Sequence, residues 1–584
     1  MTRSRQAGVA LASLALMGTV AGCGASPSTT PSAKGNQGGT VVVAEAPLSA
    51  PNWFFPIIAS SASSNTNIQT DSIMYKMLLH ITNKDTVDYS RSLASGITAS
   101  SNGRVYTITL NPKYHWSNGT PVTASDFVFT WNLFKAASSG AKGLPWSYAW
   151  SGIGGLPQDW GQAVAVNAHT VKVTLTRSVS PTWFILNGLG QISPVPKAVW
   201  DKYPHNVDQE LSFIQSVANS PTAPEYRVVD GPFKIQSATA NQEWVFAPNT
   251  AYDGHRARIA KLIFQYETST TSEFTGLKNG TVSVGYLDSQ LWNSRNQLTN
   301  DRMSMPYVLG FDYLAPNLSP SAPGGVGKAF QKLYVRQALE MGINQAGIIK
   351  TLFHGYGVVG TSPVASLPKT AFTDPALAHA LYPFNPSRGK KLLLAHGWQL
   401  NNGVMTKNGI ALKFTLLYMA GVPTWTNLVE LLKSAWAQEG IQVNLKPEPF
   451  SNVIGTASQS DPTQWQMAFW GGGWTYEPDY FPSGDGLLNT GGGTNTGGYA
   501  SATMDQLINA TTNLTGTAHQ VQQRMFAYEA YAAKQLPVLY LPWNPSSYVG
   551  TGLFPEHAQN VHGTVKTFNQ VTDLYYPNWW TVSP

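Results

Sequence analysis

Cysteine is almost absent from this chain, because its 584 residues include only one, Cys23. A single cysteine excludes a disulfide framework within the chain and any metal site built from several thiolates. The folded part must therefore be stable without cross-links. Hydrophobic residues make up 42% and aromatic residues 11% of the sequence, which is ample for large hydrophobic cores.

Charged residues are also scarce, at 12% of the sequence, about half the share found in an average soluble protein. The net charge of +6 comes from few acids rather than from many bases. No run of Lys or Arg marks a face for nucleic acid, so we expect no nucleic-acid partner. On a surface with few carboxylates, acid protonates few groups, so the net charge of the protein changes little. We therefore hypothesise that the protein works in an acidic medium.

Sequence signatures of common enzymes are missing as well. The chain contains no HExxH, no GxSxG, no P-loop and no GxGxxG after a strand. Its 11 histidines are scattered singly, so the sequence shows no metal-binding cluster. We expect no cofactor, no metal and no catalytic residues, although a catalytic triad assembled only in three dimensions leaves no such motif.

The N-terminus has a pattern of its own, with Arg3 and Arg5 before an apolar stretch from about Ala7 to Val20. A basic start, a short apolar run and small residues are typical of a secretory signal peptide. The stretch is shorter than the roughly 20 apolar residues of a membrane span. Residues 20–23 (VAGC) resemble the bacterial lipobox, which implies cleavage before Cys23 and lipidation of its sulfur. An ordinary signal peptide with an incidental cysteine is the alternative.

Residues 24–39 (GASPSTTPSAKGNQGG) contain no apolar residue larger than alanine. Such a segment cannot bury enough surface to offset its ordering entropy, so residues 23–39 are predicted to be a flexible tether after a signal peptide at 1–22. Acyl chains on Cys23 would hold the protein at a membrane outside the cytoplasm, on a cell surface or in a periplasm. The folded part is expected to begin near Thr40.

The remaining chain exceeds what one hydrophobic core usually serves, so two or more lobes are expected. Residues 106–110 alternate in polarity like a half-buried strand. Thr123 and Asp126 form the S/T-x-x-D pattern of a helix start, and Phe127 and Trp131 follow at helical spacing. Such alternation of strand and helix patterns favours mixed α/β lobes.

Residues 106–131 (YTITLNPKYHWSNGTPVTASDFVFTW) resemble the signature of family 5 extracellular solute-binding proteins. These are the dipeptide-, oligopeptide- and nickel-binding components of ABC importers. One departure is Asn118, where the family often has Asp, and either residue suits that turn. Later segments resemble further family elements: 164–175 (VAVNAHTVKVTL), 194–200 (PVPKAVW), 230–233 (DGPF), 249–252 (NTAY), 276–280 (GLKNG), 335–339 (VRQAL) and 386–398 (PSRGKKLLLAHGW).

The resemblance implies a two-lobed α/β fold of the periplasmic-binding-protein type (class II, or cluster C). Lobe one would comprise residues 40–304 and, after a return of the chain, 536–584. An extra subdomain of lobe one would span about 72–200. Lobe two would comprise residues 305–535, and the returning segment would include the apolar run at 536–541.

Residues 468–480 (AFWGGGWTYEPDY) are the chemically richest segment. Glycines let a backbone approach another group closely, and the aromatic residues supply flat apolar faces. In the family this region lies in the interlobe cleft, where an acid after a Gly-Trp element holds the α-ammonium group of the ligand. The resemblance thus implies these ligand-binding residues: Trp53, Trp470, Gly472, Gly473, Trp474, Tyr476, Glu477 and Asp479.

The spacing of the acids departs from the family pattern, in which Gly-Trp is followed by two residues, Asp and then Pro-Asp-Pro. Here Glu477 comes three residues after Trp474 and Asp479 comes five after it, so both acids are candidates and Glu477 fits slightly better. A surface turn with packed aromatics is the alternative. Trp53 belongs to an aromatic cluster at 53–55, for which packing in a core is the alternative role.

Two further features remain open. Residues 491–498 (GGGTNTGG) are interpreted as a flexible or backbone-exposing loop, and a phosphate cradle is the weaker alternative because no GKS or GKT ending follows. Arg336 belongs to a helix motif and is expected to be structural. The sequence therefore names no basic residue for a peptide carboxylate.

The resemblance implies a monomeric substrate-binding lipoprotein that captures peptides and delivers them to the membrane permease of an ABC importer. A binder of another solute, such as a sugar or a nickel complex, is the alternative on the same fold. The tryptophans leave room for a sugar, since aromatic faces also suit sugar rings. An exported lipoprotein enzyme is a further alternative, because a fold does not fix a function.

Overall fold

The computed structural model describes residues 38–514, 516–544, 554–557 and 561–582. The predicted signal peptide, Cys23 and all but the last two residues of the predicted tether lie outside the described residues. Within these ranges, no helix combines the length and the apolar character needed to cross a membrane. The described residues belong to one compact unit.

In chain order, the strands are β1 (Thr40–Ala44), β2 (Ala94–Ala99), β3 (Val105–Leu110), β4 (Gln162–Asn167), β5 (Thr170–Thr174), β6 (Phe233–Thr239), β7 (Glu243–Pro248), β8 (Lys261–Gln265), β9 (Asp301–Ser304), β10 (Gly310–Pro316), β11 (Gln399–Asn401), β12 (Val404–Lys407), β13 (Ile410–Ala411), β14 (Lys413–Met419), β15 (Gln442–Glu448), β16 (Met467–Phe469), β17 (Trp474–Thr475), β18 (Leu539–Leu541), β19 (Phe554–His557), β20 (Val561–His562) and β21 (Thr581–Val582).

The α-helices are α1 (Asn65–Met74), α2 (Ala124–Ala137), α3 (Pro181–Trp183), α4 (Lys197–Trp200), α5 (Val207–Ala218), α6 (Thr270–Asn279), α7 (Val326–Phe330), α8 (Leu333–Met341), α9 (Gln345–Thr351), α10 (Pro386–Ala395), α11 (Pro423–Gln438), α12 (Phe450–Thr456), α13 (Ala502–Thr511), α14 (Ala518–Gln535) and α15 (Thr564–Thr567).

The first large sheet has the strand order β1-β8-β7-β6. Strand β1 runs parallel to β8, whereas β8, β7 and β6 pair antiparallel. Its first strand begins at Thr40, where the folded part is expected to begin. Val41 and Val43 are fully buried, which anchors the N-terminal end of the described chain in a hydrophobic core.

The second large sheet has the order β15-β14-β16-β10-β17, and β18 also pairs with β10. Strand β14 is parallel to β15 and β16, while β10 is antiparallel to β16, β17 and β18. Every residue of β10 is buried. This strand therefore forms the centre of the sheet and brings three short segments of distant sequence together.

The third sheet, β2-β3-β5-β4, is antiparallel throughout, and α2 contacts β4 and β5 of it. The α2 helix starts with the predicted capping box, in which the Asp126 side chain accepts a hydrogen bond from the Thr123 backbone N–H at 2.8 Å. Phe127, Trp131 and Phe134 are fully buried. The predicted strand, turn and helix in this region are confirmed.

Single residues set the boundaries of two elements. Helix α11 begins at Pro423, because proline fits the first helical turn. Within the apolar run at 536–541, only β18 is a strand. Leu536 takes a left-handed conformation (φ 48°) that ends α14, so the first residues of the run form the turn into β18.

Candidate functional site

A cavity of about 690 Å³ lies within the described part of the chain. Most of its lining comes from five segments, at 60–66, 137–151, 454–460, 470–475 and 492–496. Its volume falls within the roughly 300–1,000 Å³ of typical ligand pockets. Segments far apart in the sequence therefore converge on one space large enough for a small solute.

The loop at 470–473 forms one wall of this cavity. Strands β16 and β17, which flank the loop, both pair with β10, so the chain leaves the sheet between them and returns. Gly473 has a φ of 58°, and a Cβ atom there would lie 2.1 Å from the Phe311 carbonyl oxygen. The Trp470 indole N–H donates to the Gly473 carbonyl at 2.8 Å and closes the loop. Glycine is thus required for the loop to lie close against β10.

Trp470 and Trp474 both line the cavity and are 9% and 8% exposed. The Trp470 ring packs edge-on against Tyr313, with ring centroids 5.2 Å apart. Trp474 packs edge-on against Tyr476 at 6.4 Å. These contacts fix the indole rings at the border between the core and the cavity. Gly472 and Gly473 line the cavity as well.

Glu477 lines the cavity and is 4% exposed. Its Oε1 accepts a hydrogen bond from the Tyr480 hydroxyl at 3.4 Å. Burial raises the pKa of the Glu477 carboxyl well above its usual range, and the Asp573 charge raises it further, whereas the Tyr480 bond lowers it. A positive group in the cavity would reverse this effect, because an opposite charge favours the ionised carboxylate.

Asp479 has a different position, since it is fully buried and does not line the cavity. The Asn187 side-chain amide donates to its Oδ1 and to the Phe481 carbonyl. Burial raises the pKa of Asp479 well above its usual range, and the neighbouring Asp485 raises it further. The structure therefore brings Glu477 to the cavity and places Asp479 in the packed region beside it.

Tyr476 and Trp53 also lie outside the cavity lining. The Tyr476 hydroxyl donates to the Pro363 carbonyl at 2.6 Å within the core. Trp53 donates from its indole to the Ile57 carbonyl at 3.0 Å and packs edge-on against Trp146, which does line the cavity. Trp53 thus supports a wall residue from behind.

Sequence reasoning missed several lining residues. Trp146, Tyr148 and Trp150 alternate along one segment and all line the cavity. Their segment is fixed to residues 58–60, because the Ala149 N–H donates to the Ile58 carbonyl and the Ser60 N–H donates to the Ser147 carbonyl. The alternating aromatics of WSYAW at 146–150 are the signal that could have indicated this wall.

The glycine-rich loop at 491–498 also reaches the cavity, through residues 492–496. Asn495 holds this loop in shape, since its side-chain amide donates to the carbonyls of Asn489 and Tyr499 and its Oδ1 accepts from the Tyr499 N–H. No group of three or more His, Cys, Asp or Glu residues that could hold a metal ion lies among the residues the structure describes.

A family model for the middle region of bacterial extracellular solute-binding proteins, family 5, matches residues 88–496, which is more than half of the chain. The chain therefore belongs to family 5 of the bacterial extracellular solute-binding proteins, which places it outside the cytoplasm.

Similar proteins agree with this assignment. The dipeptide-binding protein of Lactococcus lactis is 25% identical over 79% of this chain and 83% of its own length. The oligopeptide-binding protein AppA of Bacillus subtilis is 20% identical over 96% of this chain and 95% of its own length. The structure of that AppA with a nonapeptide superimposes with a TM-score of 0.77 at 18% identity, covering 94% of this chain and 100% of the other. The two-lobed α/β fold expected from the sequence is confirmed.

Proposed function

We propose that the chain is the substrate-binding lipoprotein of an ABC importer, and that it encloses a peptide in the cavity and delivers it to a membrane permease. The observation that carries this proposal is Glu477, a carboxyl group that lines an otherwise uncharged cavity. The named functions of the dipeptide- and oligopeptide-binding relatives support a peptide as the ligand.

The peptide would bind through its amino end. An ammonium group beside Glu477 stabilises the ionised carboxylate, and such a charged hydrogen bond is worth about 1.5–3 kcal/mol. The loop at 470–473 places backbone groups along the wall of the cavity. These groups suit the backbone of an extended peptide, as in the addition of a strand to a sheet.

We further propose that two lobes close around the peptide, with lobe one at 40–304 and 536–584 and lobe two at 305–535. Under these boundaries the segments at 60–66 and 137–151 belong to lobe one, and those at 454–496 belong to lobe two. A ligand that contacts both lobes favours the closed state, because its differential affinity shifts the equilibrium.

Binding without a reaction is the role we propose for the cavity. Among the described lining residues, Glu477 is the only Asp, Glu, His, Lys, Arg or Cys. Acid–base or nucleophilic catalysis needs several such groups within hydrogen-bond reach of one another. The lining offers one carboxyl group surrounded by hydroxyls, amides and aromatic rings, which suits capture of a solute.

Attachment to the membrane is tested at Cys23. We expect Cys23→Ser to move the full-length protein from the membrane fraction to the soluble extracytoplasmic fraction, because the serine hydroxyl replaces the thiol that would be lipidated. Immunoblots of fractionated cells measure this change. Retention of the variant in the membrane fraction would contradict a lipid anchor.

A neutral saccharide is the second candidate ligand, favoured by the aromatic and hydroxyl-rich lining. Native mass spectrometry of the Cys23→Ser protein, followed by identification of released ligands, separates the candidates. Co-purified peptides support the main proposal, and oligosaccharides support the second. A protein that retains neither, and that binds no peptide in calorimetric titrations, would refute the peptide proposal.

A further inference from the structure

The cavity holds no positive side chain among the described residues. Its lining includes Ser, Thr, Asn, Gln, Gly and aromatic residues with the single acid Glu477, and no Lys, Arg or His contributes to it. The described lining therefore offers no cation to a ligand.

Two cations lie near the cavity without lining it. Lys142 is exposed between the lining residues Ala141 and Gly143, and the second cation, Arg177, is paired with an acid. Arg177 lines a neighbouring cavity of about 220 Å³, which shares Ser151 and Gly492 with the larger one. Its guanidinium forms an ion pair with Asp159 at 2.8 Å. Arg177 does not line the larger cavity, and it has an acid of its own.

The N-terminus of α1 also reaches the cavity, where a helix dipole would otherwise favour an anion. The Ser64 hydroxyl caps this end by accepting from the Asn67 N–H at 3.1 Å. The Asn65 side-chain amide donates to the Asp573 carboxylate. An acid therefore already lies at this helix end, so a second anion gains little there.

An anion enclosed in this cavity is strongly disfavoured. Burial of a charge without a partner is costly, and the described lining offers an anion no positive partner. A neutral isostere of the same size meets the same hydroxyl and amide groups without that cost. The cavity thus distinguishes ligands by charge through the residues that it lacks.

We infer that this cavity selects against anionic groups, so that the enclosed part of a ligand is neutral or carries one positive charge. For a peptide, acidic side chains are rejected, and the C-terminal carboxylate remains outside the cavity. This specificity rests on the proposed function as a peptide binder. It goes further by defining which peptides are captured and by removing the need for a carboxylate-binding residue.

The test is affinity selection from an equimolar mixture of hexapeptides with free N-termini, each made both as the C-terminal acid and as the amide. Matched pairs differ only by Asp against Asn or Glu against Gln. We expect the peptide with Asp or Glu to be retained at least about tenfold less than its partner with Asn or Gln. We expect each peptide to be retained equally well with a C-terminal carboxylate and with a C-terminal amide. Equal retention within the Asp/Asn and Glu/Gln pairs, or a clear preference for C-terminal acids, would overturn the inference.

If the proposed function is wrong, no hexapeptide of any charge is retained. The inference then fails together with the proposed function. Retention of peptides without charge discrimination refutes the inference alone and leaves the binding function intact. The two results are therefore distinguishable in one experiment.

A gain of function sharpens the test. Thr494 lines the cavity and its hydroxyl has no hydrogen-bond partner, so Thr494→Lys adds a cation without removing a side-chain hydrogen bond. We expect this variant to reduce the discrimination against acidic peptides about tenfold.

Gln459→Lys, on an exposed lining residue, serves as a second variant if the first fails to fold. The matched control is Thr98→Lys on an exposed position of β2 outside the lining. Unchanged discrimination in folded lining variants would contradict the inference.

Discussion

The cavity wall at 470–477 and the packed segment at 479–485 are adjacent in sequence and opposite in character. Glu477 in the first lines the cavity and accepts one long hydrogen bond from the protein. Asp485 in the second accepts from the Trp183 indole at 2.8 Å and from the Gly154 N–H at 3.1 Å, and also from the Ser483 hydroxyl. The comparison distinguishes a carboxyl group available to a ligand from one used by the fold.

The partners explain the difference. Residues 479–485 meet the segment at 154–187, which supplies N–H donors from a distant part of the chain. The wall at 470–477 faces open space on one side, so the protein provides fewer donors there. Proximity to the glycine and tryptophan motif alone does not give a carboxyl group a role in binding.

The largest expected effect is on stability. We expect Asp485→Ala to lower the free energy of unfolding by about 3 kcal/mol, because it leaves three buried donors, on Trp183, Gly154 and Ser483, without an acceptor. Urea unfolding measures this loss. Asp485→Asn retains an acceptor and should cost less than half as much. A loss below about 1 kcal/mol for the alanine variant would contradict the structural role assigned to Asp485.

The next largest effect is on binding. We expect Glu477→Gln to weaken the binding of a hexapeptide with a free N-terminus by about 10- to 100-fold, because it removes the charged partner of the ammonium group. Isothermal titration calorimetry measures the change. An N-acetylated hexapeptide provides the control, since it lacks the ammonium group. Equal losses for both peptides would show that Glu477 does not bind that group.

A broader effect concerns pH, through buried carboxyl groups. Burial raises the pKa of Glu45 and Asp312 to about 8 and of Glu439 and Glu529 to about 9. Because these values exceed the unfolded value of about 4, their contribution to stability is complete below pH 4 and is lost as the pH rises through 8 to 9.

We therefore expect the unfolding temperature to be higher at pH 5 than at pH 9, in agreement with the hypothesis of an acidic medium. His80 and Lys76, whose pKa values burial lowers to about 3 and about 8, act in the opposite direction over this range, but the carboxyl groups with raised pKa outnumber them. Calorimetry across this range tests the trend. Glu439→Gln should make the decline shallower, and a rise in unfolding temperature toward pH 9 would contradict the account.

The smallest expected effect is that of Asp479→Asn on peptide affinity. Asp479 lies outside the cavity lining, so we expect the dissociation constant to change by less than about threefold. Calorimetry under the conditions used for Glu477→Gln gives the direct comparison. A loss of tenfold or more, with Glu477→Gln harmless, would reverse the roles of the two acids.

Local elements were predictable from the sequence because local residues determine them. Helix α2 starts at its capping box, and β3 follows the alternation at 106–110. The fold class followed from the family resemblance. The boundaries of the lobes remain predictions.

The cavity was predictable only in part, because distant segments form it. The contact that separates Asp479 from Glu477 is made by Asn187, 292 residues earlier than Asp479. No local pattern contains that information. The wall at 146–150 likewise depends on its backbone pairing with residues 58–60. Both cases reflect long-range packing, which the order of residues in a single segment does not reveal.

The most direct test of the account is a crystal structure of the protein with a hexapeptide that has a free N-terminus. The account predicts the peptide in the cavity of about 690 Å³, with its ammonium nitrogen about 2.8 Å from a Glu477 carboxylate oxygen. A peptide bound elsewhere, or one whose ammonium group contacts another residue while Glu477 stays unpaired, would contradict it.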